Sequence, residues 1–575
     1  MKTTGRKMNR RDFLKACGLV TAGAVTGFRR VEASIPTAEL VLTNGKIITV
    51  DSRDSIAEAA AIRSGKIIVV GSRETISKYI GSETKVIDLK GKTVTPGLID
   101  SHAHLPPFGQ RENGWFVKLQ GLNSKEEIME ALAQKARKTP KGDWISAWGV
   151  EDLSPSYLDK DDLDRVTKEH PVLAVHTTGQ WGFANSLALK MAGIGKDTMA
   201  PPGSKVEMNP FKKEPTGLLL HYPALDLIRK HMPVPDDQQA KDAILFAANL
   251  YAAEGVTAVH DNFFMLGTPH FHKGYFELIQ SGEMPLRMKI WPYFANFQIA
   301  SSVFKALFES GELHPASRIK ELILLRKESP GLFASIWGGF KMAVDGVPLW
   351  YGRQQGFPMH KTEELLAMMK LFHRTDQQVS IHASGDQAVD LILDAIEAAL
   401  KEYPRNDHRH RIEHAISPRP GSLERIRKLG VVVSTHPQFI FAWGDKWGGL
   451  KNRTGVIPLK SYIKKGIPLA IGADPPAFPI YQPQVALWQA GARITKGGYR
   501  FDSTESISIQ EALRIQTMGS AYSGFQEKEI GSIEKGKLAD MVVWNQDFYT
   551  IPRDQIKEVK ALLTILGGKI VYQKE

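Results

Sequence analysis

The chain has 575 residues, 42% of them apolar and 24% charged, which is enough for two or three folded units around a large core and too much for one small domain. Its formal charge of +12 overstates its basic character, because residues 1–33 hold eight Lys/Arg and two Asp/Glu and leave about +6 for the remainder. That mild excess has no accompanying aromatic-and-basic recognition motif, which argues against nucleic acid as a partner.

The first element is a targeting segment. Asn9-Arg10-Arg11-Asp12-Phe13-Leu14-Lys15 precedes a weakly apolar, Gly/Ala-rich stretch over 16–28 and a small-residue cleavage site at Val31-Glu32-Ala33. This resembles a twin-arginine signal over 1–33, and implies the twin-arginine export machinery as a partner and a periplasmic or extracellular protein exported folded. The alternative is a basic tail. Cys17, the one cysteine, lies inside this segment, so a mature chain forms no internal disulfide. No later stretch approaches 18 apolar residues, and no membrane anchor is expected.

Residues 40–50 read as two short apolar strands joined by Asn44-Gly45, a hairpin signal because both residues tolerate positive φ. Residues 61–70 and 86–94 repeat the pattern, as do 537–544 and 564–572. Neither end supplies enough strands to cover both faces of a sheet, so 38–95 and 528–575 are expected to build one small β-sandwich together.

Between these ends lie eight β-like runs, at 97–104, 256–262, 286–294, 335–345, 378–384, 409–415, 430–436 and 467–474. Helical stretches such as 362–372, 388–401 and 422–428 fall between several of them. Alternation of this kind predicts parallel strands with crossover helices, and eight of them predict an α/β fold built on a (β/α)8 TIM barrel over 96–527. A Ser508-x-x-Glu511 capping box opens a helix leading towards the C-terminal strands. The gap between the first two runs has strand and helix signals of its own, including Ser124-x-x-Glu127, and 110–240 reads as an inserted α/β subdomain on the ligand face.

Thr95-Pro96-Gly97 leads into His102 and His104, which stand at i and i+2 and project to one side of an extended strand, a geometry that suits a metal ion. The pair alone is a weak signal. It gains weight from Lys341, His382, His414 and Asp474, which close runs four, five, six and eight at the barrel face where active sites lie.

With these positions go Asn185-Ser186-x-Ala188-Leu189, Glu214-Pro215-Thr216-Gly217, Asp345-Gly346, His382-Ala383-x-Gly385-Asp386, Arg411-x-Glu413-His414 and Gly531-Ser532-Ile533-x-x-Gly536-Lys537-Leu538-Ala539-Asp540. Over nearly everything after the signal, the chain resembles the amidohydrolase superfamily, and within it the amidohydrolase family 3 branch. The resemblance implies a water-activating site of one or two metal ions. His102 and His104 would hold one ion, His382 and His414 the other, and a carboxylated Lys341 would bridge them. Asp474 would be both a ligand and the catalytic acid–base. Zinc is the expected metal, two ions, or one if Lys341 stays an amine. Carboxylation avoids setting an ammonium beside two dications, which costs several kcal/mol in a desolvated site. Asp345, Asp386 and Glu413 are candidates to accept from ligand imidazoles.

The chain departs from the family pattern near the substrate. His176 and Gly179-Gln180 replace the usual Arg and Gly-His, and His436-Pro437 replaces Gln-Pro, so His176, Gln180 and His436 are candidate substrate-binding residues with Trp181 as a stacking wall. Without a fixed guanidinium the expected small-molecule substrate is a neutral or aromatic amide. The leading activity is hydrolysis of a non-peptide C–N bond in an N-acyl, N-formyl or cyclic amide. Ring-amidine deamination, a catalytically silent metal-binding role and a homo-oligomeric state stay open.

Overall fold

The computed structural model describes residues 36–122, 124–151, 158–201, 203–265, 269–294, 297–305, 326–345, 361–447, 450 and 455–575. The proposed signal, with Cys17, lies outside them. Eight parallel strands form one sheet in sequential order: β1 (Leu98–Ala103), β2 (Val256–Met265), β3 (Arg287–Tyr293), β4 (Phe340–Ala343), β5 (Val379–Ala383), β6 (Arg411–His414), β7 (Val432–Thr435) and β8 (Leu469–Ile471). The ends of this sheet meet. Asp474 N–H donates to the His102 carbonyl at 2.7 Å, His104 N–H to that of Pro475 at 3.0 Å, and Ala473 N–H to Asp100 Oδ1 at 3.0 Å, which curls the sheet into a nearly closed barrel.

The crossover helices follow from spacing. Asp386–Glu402 places Val389, Ile392, Leu393, Ile396 and Ala399 on one face, and all five are buried against the barrel. Truncating Leu393 to Ala would cost about 2–5 kcal/mol. Pro420–Leu429 starts with its proline in the first turn and ends at Gly430, whose φ of 68° supplies the left-handed cap. One boundary differs from expectation: 335–345 is not all strand. Helix Pro330–Ile336 occupies its start, and Gly338-Gly339 lets the chain press on Trp291, whose ring a Cβ at Gly338 would meet at 2.4 Å.

The two chain ends add two sheets. One has strands in the order Lys66–Gly71, Ala59–Arg63, Leu40–Thr43, Lys85–Asp88; the other runs Lys569–Gln573, Ala561–Leu566, Met541–Trp544, Thr93–Pro96, Lys46–Ile48, Ile56–Ala57, so it joins C-terminal to N-terminal strands. The Asn44-Gly45 hairpin is not there. Leu40–Thr43 and Lys46–Ile48 sit in different sheets, and the turn carries the chain from one to the other, with Asn44 at φ 60° and its Nδ2 donating to Asp88 Oδ1. A Cβ on Gly45 would meet Leu89 at 2.4 Å, the close approach that requires glycine there. True hairpins form at Ser64-Gly65 and Gly567-Gly568. The Ser508 capping box is complete, with Ser508 N–H to Glu511 Oε2 at 2.8 Å and Glu511 N–H to Ser508 Oγ at 3.1 Å.

Between β1 and helix Asp237–Ala253 the chain builds a mixed sheet ordered Lys205–Met208, Pro215–Leu220, Trp181–Ala184, Val172–His176, Ile145–Val150, Val117–Lys118. Asn185 caps helix Ser186–Met191 by accepting from Ala188 N–H, and its amide also donates to the His170 carbonyl, so that motif locks the insertion together. Asp540, in the C-terminal motif, pairs with Arg287 of β3 through two hydrogen bonds of 2.6 and 2.8 Å and ties the added sheets to the barrel. Among the described residues no helix is long and apolar enough to cross a membrane.

Candidate metal centre

All six residues expected around the metal line one cavity at the C-terminal mouth of the barrel: His102, His104, Lys341, His382, His414 and Asp474. Strand β1 brings His102 and its extension His104; β4, β5 and β6 supply Lys341, His382 and His414, and Asp474 follows β8. Asp474 Oδ1 stands 2.8 Å from His104 Nε2 and 3.6 Å from His102 Nε2, while Oδ2 is 4.0 Å from His414 Nδ1. His102, His104 and Asp474 could hold a cation between them, with ligand atoms all within 4.8 Å of one another.

A second trio of equal tightness joins His102 and His414 to His436 rather than to His382. His382 instead has its ring 4.4 Å from that of His414, and its Nε2 lies 3.2 Å from Ser384 Oγ and 3.6 Å from Asp345 Oδ1. His436 follows β7, donates its Nδ1–H to the Gly472 carbonyl (2.8 Å), and stacks on Phe439. The structure therefore sets it beside the candidate ligands and outside the residues lining the cavity.

Burial decides the protonation of this cluster. Desolvation holds His102 and His414 well below the ordinary imidazole range, takes His382 down to about 3, and also lowers His436, with neighbouring Lys341 adding to the effect. Neutral imidazoles offer the lone pair that a cation needs. Lys341, only 3% exposed, is pushed down to about 8 by the same desolvation, against the pull of Glu413 and Asp474. Among the described residues its Nζ has no hydrogen-bond partner, nor has either ring nitrogen of His414 or Nε2 of His436. Buried polar atoms left this way are uncommon, and a cation bound among them would satisfy the imidazole nitrogens.

The surrounding residues fix which atoms point inward. His102 Nδ1 meets Glu413 Oε2 at 2.6 Å, which turns Nε2 towards Asp474. Glu413 Oε1 takes hydrogen bonds from Arg411 Nε and Ser380 Oγ, both at 2.8 Å. Burial opposes ionisation of Glu413, yet Arg411 and Lys341 hold it below the usual carboxylate range. Asp345 accepts from the Ser384 and Gly385 amides beside His382, and burial raises it to about 7. Asp386 pairs with Arg419 at 3.4 Å. Sequence reasoning missed Asp100, whose Oδ1 accepts from the amides of His102 and Ala473 and whose Oδ2 takes the Tyr251 hydroxyl at 2.6 Å. Its signal was an acidic residue two positions before the first histidine.

His414 and Asp474 have φ of 75° and 58°, a left-handed backbone that costs non-glycine residues about 1–3 kcal/mol each and gathers at functional sites. Of the expected substrate contacts, Gln180 lines the cavity. His176 and Trp181 do not: their rings stack on one another at 4.1 Å, and His176 Nδ1 lies 2.8 Å from Thr178 Oγ1. The aromatic wall consists instead of Tyr222, Tyr293, Phe439, Trp443 and Phe478.

A (β/α)8 barrel whose mouth gathers four imidazoles, a lysine and a carboxylate has the donor set of a metal-assisted hydrolase. The chain belongs to the amidohydrolase family, whose sequence profile matches residues 85–572. Protein LONG AFTER FAR-RED 3 of Arabidopsis thaliana is 31% identical over 93% of this chain and 92% of its own length. N-substituted formamide deformylase of Arthrobacter pascens is 27% identical, covering 93% and 98%. Among solved structures, an uncharacterized metal-dependent hydrolase from Pyrococcus horikoshii superimposes with a TM-score of 0.67 at 23% identity over 90% of this chain and 99% of its own, a likeness of fold.

Proposed function

We propose that the protein is a metal-dependent amidohydrolase that cleaves the C–N bond of a neutral N-acyl, N-formyl or cyclic amide. The observation that carries this reading is the convergence of His102, His104, His414 and Asp474 in one buried cavity, with burial holding the imidazoles of His102 and His414 neutral. Zinc held by His102, His104 and Asp474, with a second ion on His382, His414 and a carboxylated Lys341, would polarise the carbonyl and acidify water. The remaining work falls to the chain. Asp474 accepts the proton of the attacking water and returns it to the leaving nitrogen. Glu413 keeps His102 in one tautomer, and the aromatic walls exclude bulk solvent. Burial lowers Lys341 to about 8, which favours the free amine, the form that adds carbon dioxide.

Two observations support a neutral substrate: no arginine lines the cavity among the described residues, and the relative named N-substituted formamide deformylase is similar along nearly its whole length. The test is turnover of a panel of formamides, acetamides and cyclic amides, with elemental analysis of the parent and of Lys341→Ala. Amide cleavage, and less metal in the variant, are expected. Ammonia released from an added ring amidine, with no cleavage of N-substituted amides, would indicate deamination, and a metal-loaded protein that cleaves nothing would rule out hydrolysis. Equal metal content in both proteins would end the bridging role of Lys341.

We also propose export by the twin-arginine route, supported by Arg10-Arg11 and the weakly apolar stretch after them. Replacing both arginines by lysine is expected to leave the protein in the cytoplasm, and export that continues unchanged would refute the assignment.

A further inference from the structure

The cavity at the histidines has a volume of about 50 Å3. At roughly 10–15 Å3 for each water-sized group it takes about four heavy atoms, a reacting amide with a small acyl group and little more. A second cavity of about 220 Å3 adjoins it and shares His104, Thr178, Tyr222 and Ala477 as lining. Another of its lining residues, Val234, is 56% exposed, which places an opening to the surface there.

The walls of this second cavity are mostly apolar, with Gln110, Ser146 and His272 among the polar lining, and come from separate parts of the chain. Leu173 and Val175 lie on strand Val172–His176 of the insertion, Trp148 on the neighbouring strand Ile145–Val150, Phe116 just before strand Val117–Lys118, and Phe271 on helix Pro269–Ser281 after β2. Their placement is held by specific contacts. Trp148 donates its indole N–H to the Thr177 carbonyl at 3.0 Å, and its ring lies over Gly179, where a Cβ would come within 2.8 Å. Gly179 also has φ +72°, so both the turn and the close approach require glycine. Phe116 meets the Trp148 ring at 5.8 Å. Arg229 reaches this cavity too, but its guanidinium is engaged by the Gly179 carbonyl at 3.2 Å and by Asp226 at 3.6 Å, so the site does not call for an anion.

We infer that the second cavity is the leaving-group subsite: it holds a bulky, uncharged N-substituent, a ring system or an alkyl chain, on an amide whose acyl part is small. This rests on the hydrolytic reading above. The orientation follows from Asp474, which returns the proton to nitrogen and stands 2.8 Å from His104, the residue shared by both cavities. Each methylene moved from water into such walls strengthens binding about fourfold.

The experiment uses the metal-loaded protein and two amide series. In one the N-substituent grows from methyl to hexyl to naphthylmethyl on a constant formyl group; in the other the acyl chain grows on a constant N-methyl. kcat/KM is expected to rise at least about tenfold along the first series and to fall along the second. Trp148→Ala removes a wall and Val234→Trp fills the exposed mouth. Each is expected to lower kcat/KM about tenfold for the naphthylmethyl amide and to leave the N-methyl amide within about twofold. A rise along the acyl series, or equal losses on both amides, overturns the subsite. Calorimetry with 4-(1-naphthyl)butan-2-one, and with acetone as the short control, reads the same subsite without turnover. If no amide is cleaved while the naphthyl ketone binds at least about tenfold more tightly and Val234→Trp abolishes the difference, the hydrolytic reading fails and the leaving-group role with it, while the cavity stands as a binding site for a bulky uncharged group. Equal binding of the two ketones overturns it.

Discussion

Residues 408–414 carry three histidines that end in opposite conditions. His408 and His410, at the N-terminal end of β6, join His373 in a cluster where every ring nitrogen has a partner. His373 Nδ1 meets His410 Nε2 at 2.8 Å, His373 Nε2 the Tyr403 carbonyl at 2.7 Å, and His408 Nε2 the Leu429 carbonyl at 2.7 Å. The amides of His410 and Val379 donate to the two remaining nitrogens. At the other end of the same strand, neither nitrogen of His414 has a hydrogen-bond partner among the described residues. Burial lowers the pKa in both clusters, and His408-x-His410 repeats the spacing of His102-x-His104. Those features therefore do not separate a structural cluster from a metal centre. The distinguishing property is whether protein donors already occupy the lone pairs.

Exchanging the roles of the two clusters is the way to break this contrast. Asp474→Asn keeps an oxygen for partial metal ligation but cannot accept the water's proton, so turnover should fall by about 10²–10⁴. Parental kcat with metal retained would remove Asp474 from the reaction. Glu413→Gln weakens the hold on His102 and should cost about 10–100-fold in metal affinity or activity, measured by chelator competition and kcat/KM. No change in either would make Glu413 a packing residue. At the lower cluster His410→Gln should leave kcat within a few fold while lowering stability by about 1–3 kcal/mol in denaturant titrations, because buried partners lose their hydrogen bonds. A variant that lost activity but not stability would erase the contrast.

A further effect is one of pH. His408 is held down to about 4 by burial, below its ordinary value of 6.5. Between those limits the unfolded chain binds a proton that the folded one refuses. Stability is therefore full above pH 6.5 and declines as pH falls towards 4, with a slope from this residue of at most about 1.4 kcal/mol per pH unit. His408→Gln should flatten the decline, and an unchanged profile would assign the acid sensitivity to other groups.

The barrel was legible because its strands are buried and several runs, such as 430–436 and 467–474, are largely apolar and close on a polar residue at the mouth. Each of the eight runs contains one strand, with the order β1 to β8 kept. Partner choice was not legible at Asn44-Gly45. A turn dipeptide reports the backbone angles it tolerates, and those served a crossing between sheets as well as a hairpin. His436 was read as a substrate contact from its place after β7. The trio it completes with His102 and His414 depends on distances across three strands, which sequence does not carry. The stacking of His176 on Trp181 was hidden for the same reason, and so was the apolar cavity, whose walls come from segments more than 100 residues apart.

The seam between β1 and the residues after β8 also bears on how the chain is made. Asp100 and Ala473, which meet there, stand 373 positions apart. A growing chain would present β1 early, with one edge waiting for a neighbour until nearly the whole barrel has left the ribosome. Open strand edges of that kind recruit wrong partners, so a slow or interrupted synthesis exposes this chain to misassembly. A product cut short before Asp474 keeps every histidine of the centre but lacks both its carboxylate and the closure that brings the histidines together. Synthesis through Asp474 is thus a precondition for assembling the centre, and shorter products would be inert rather than weakly active.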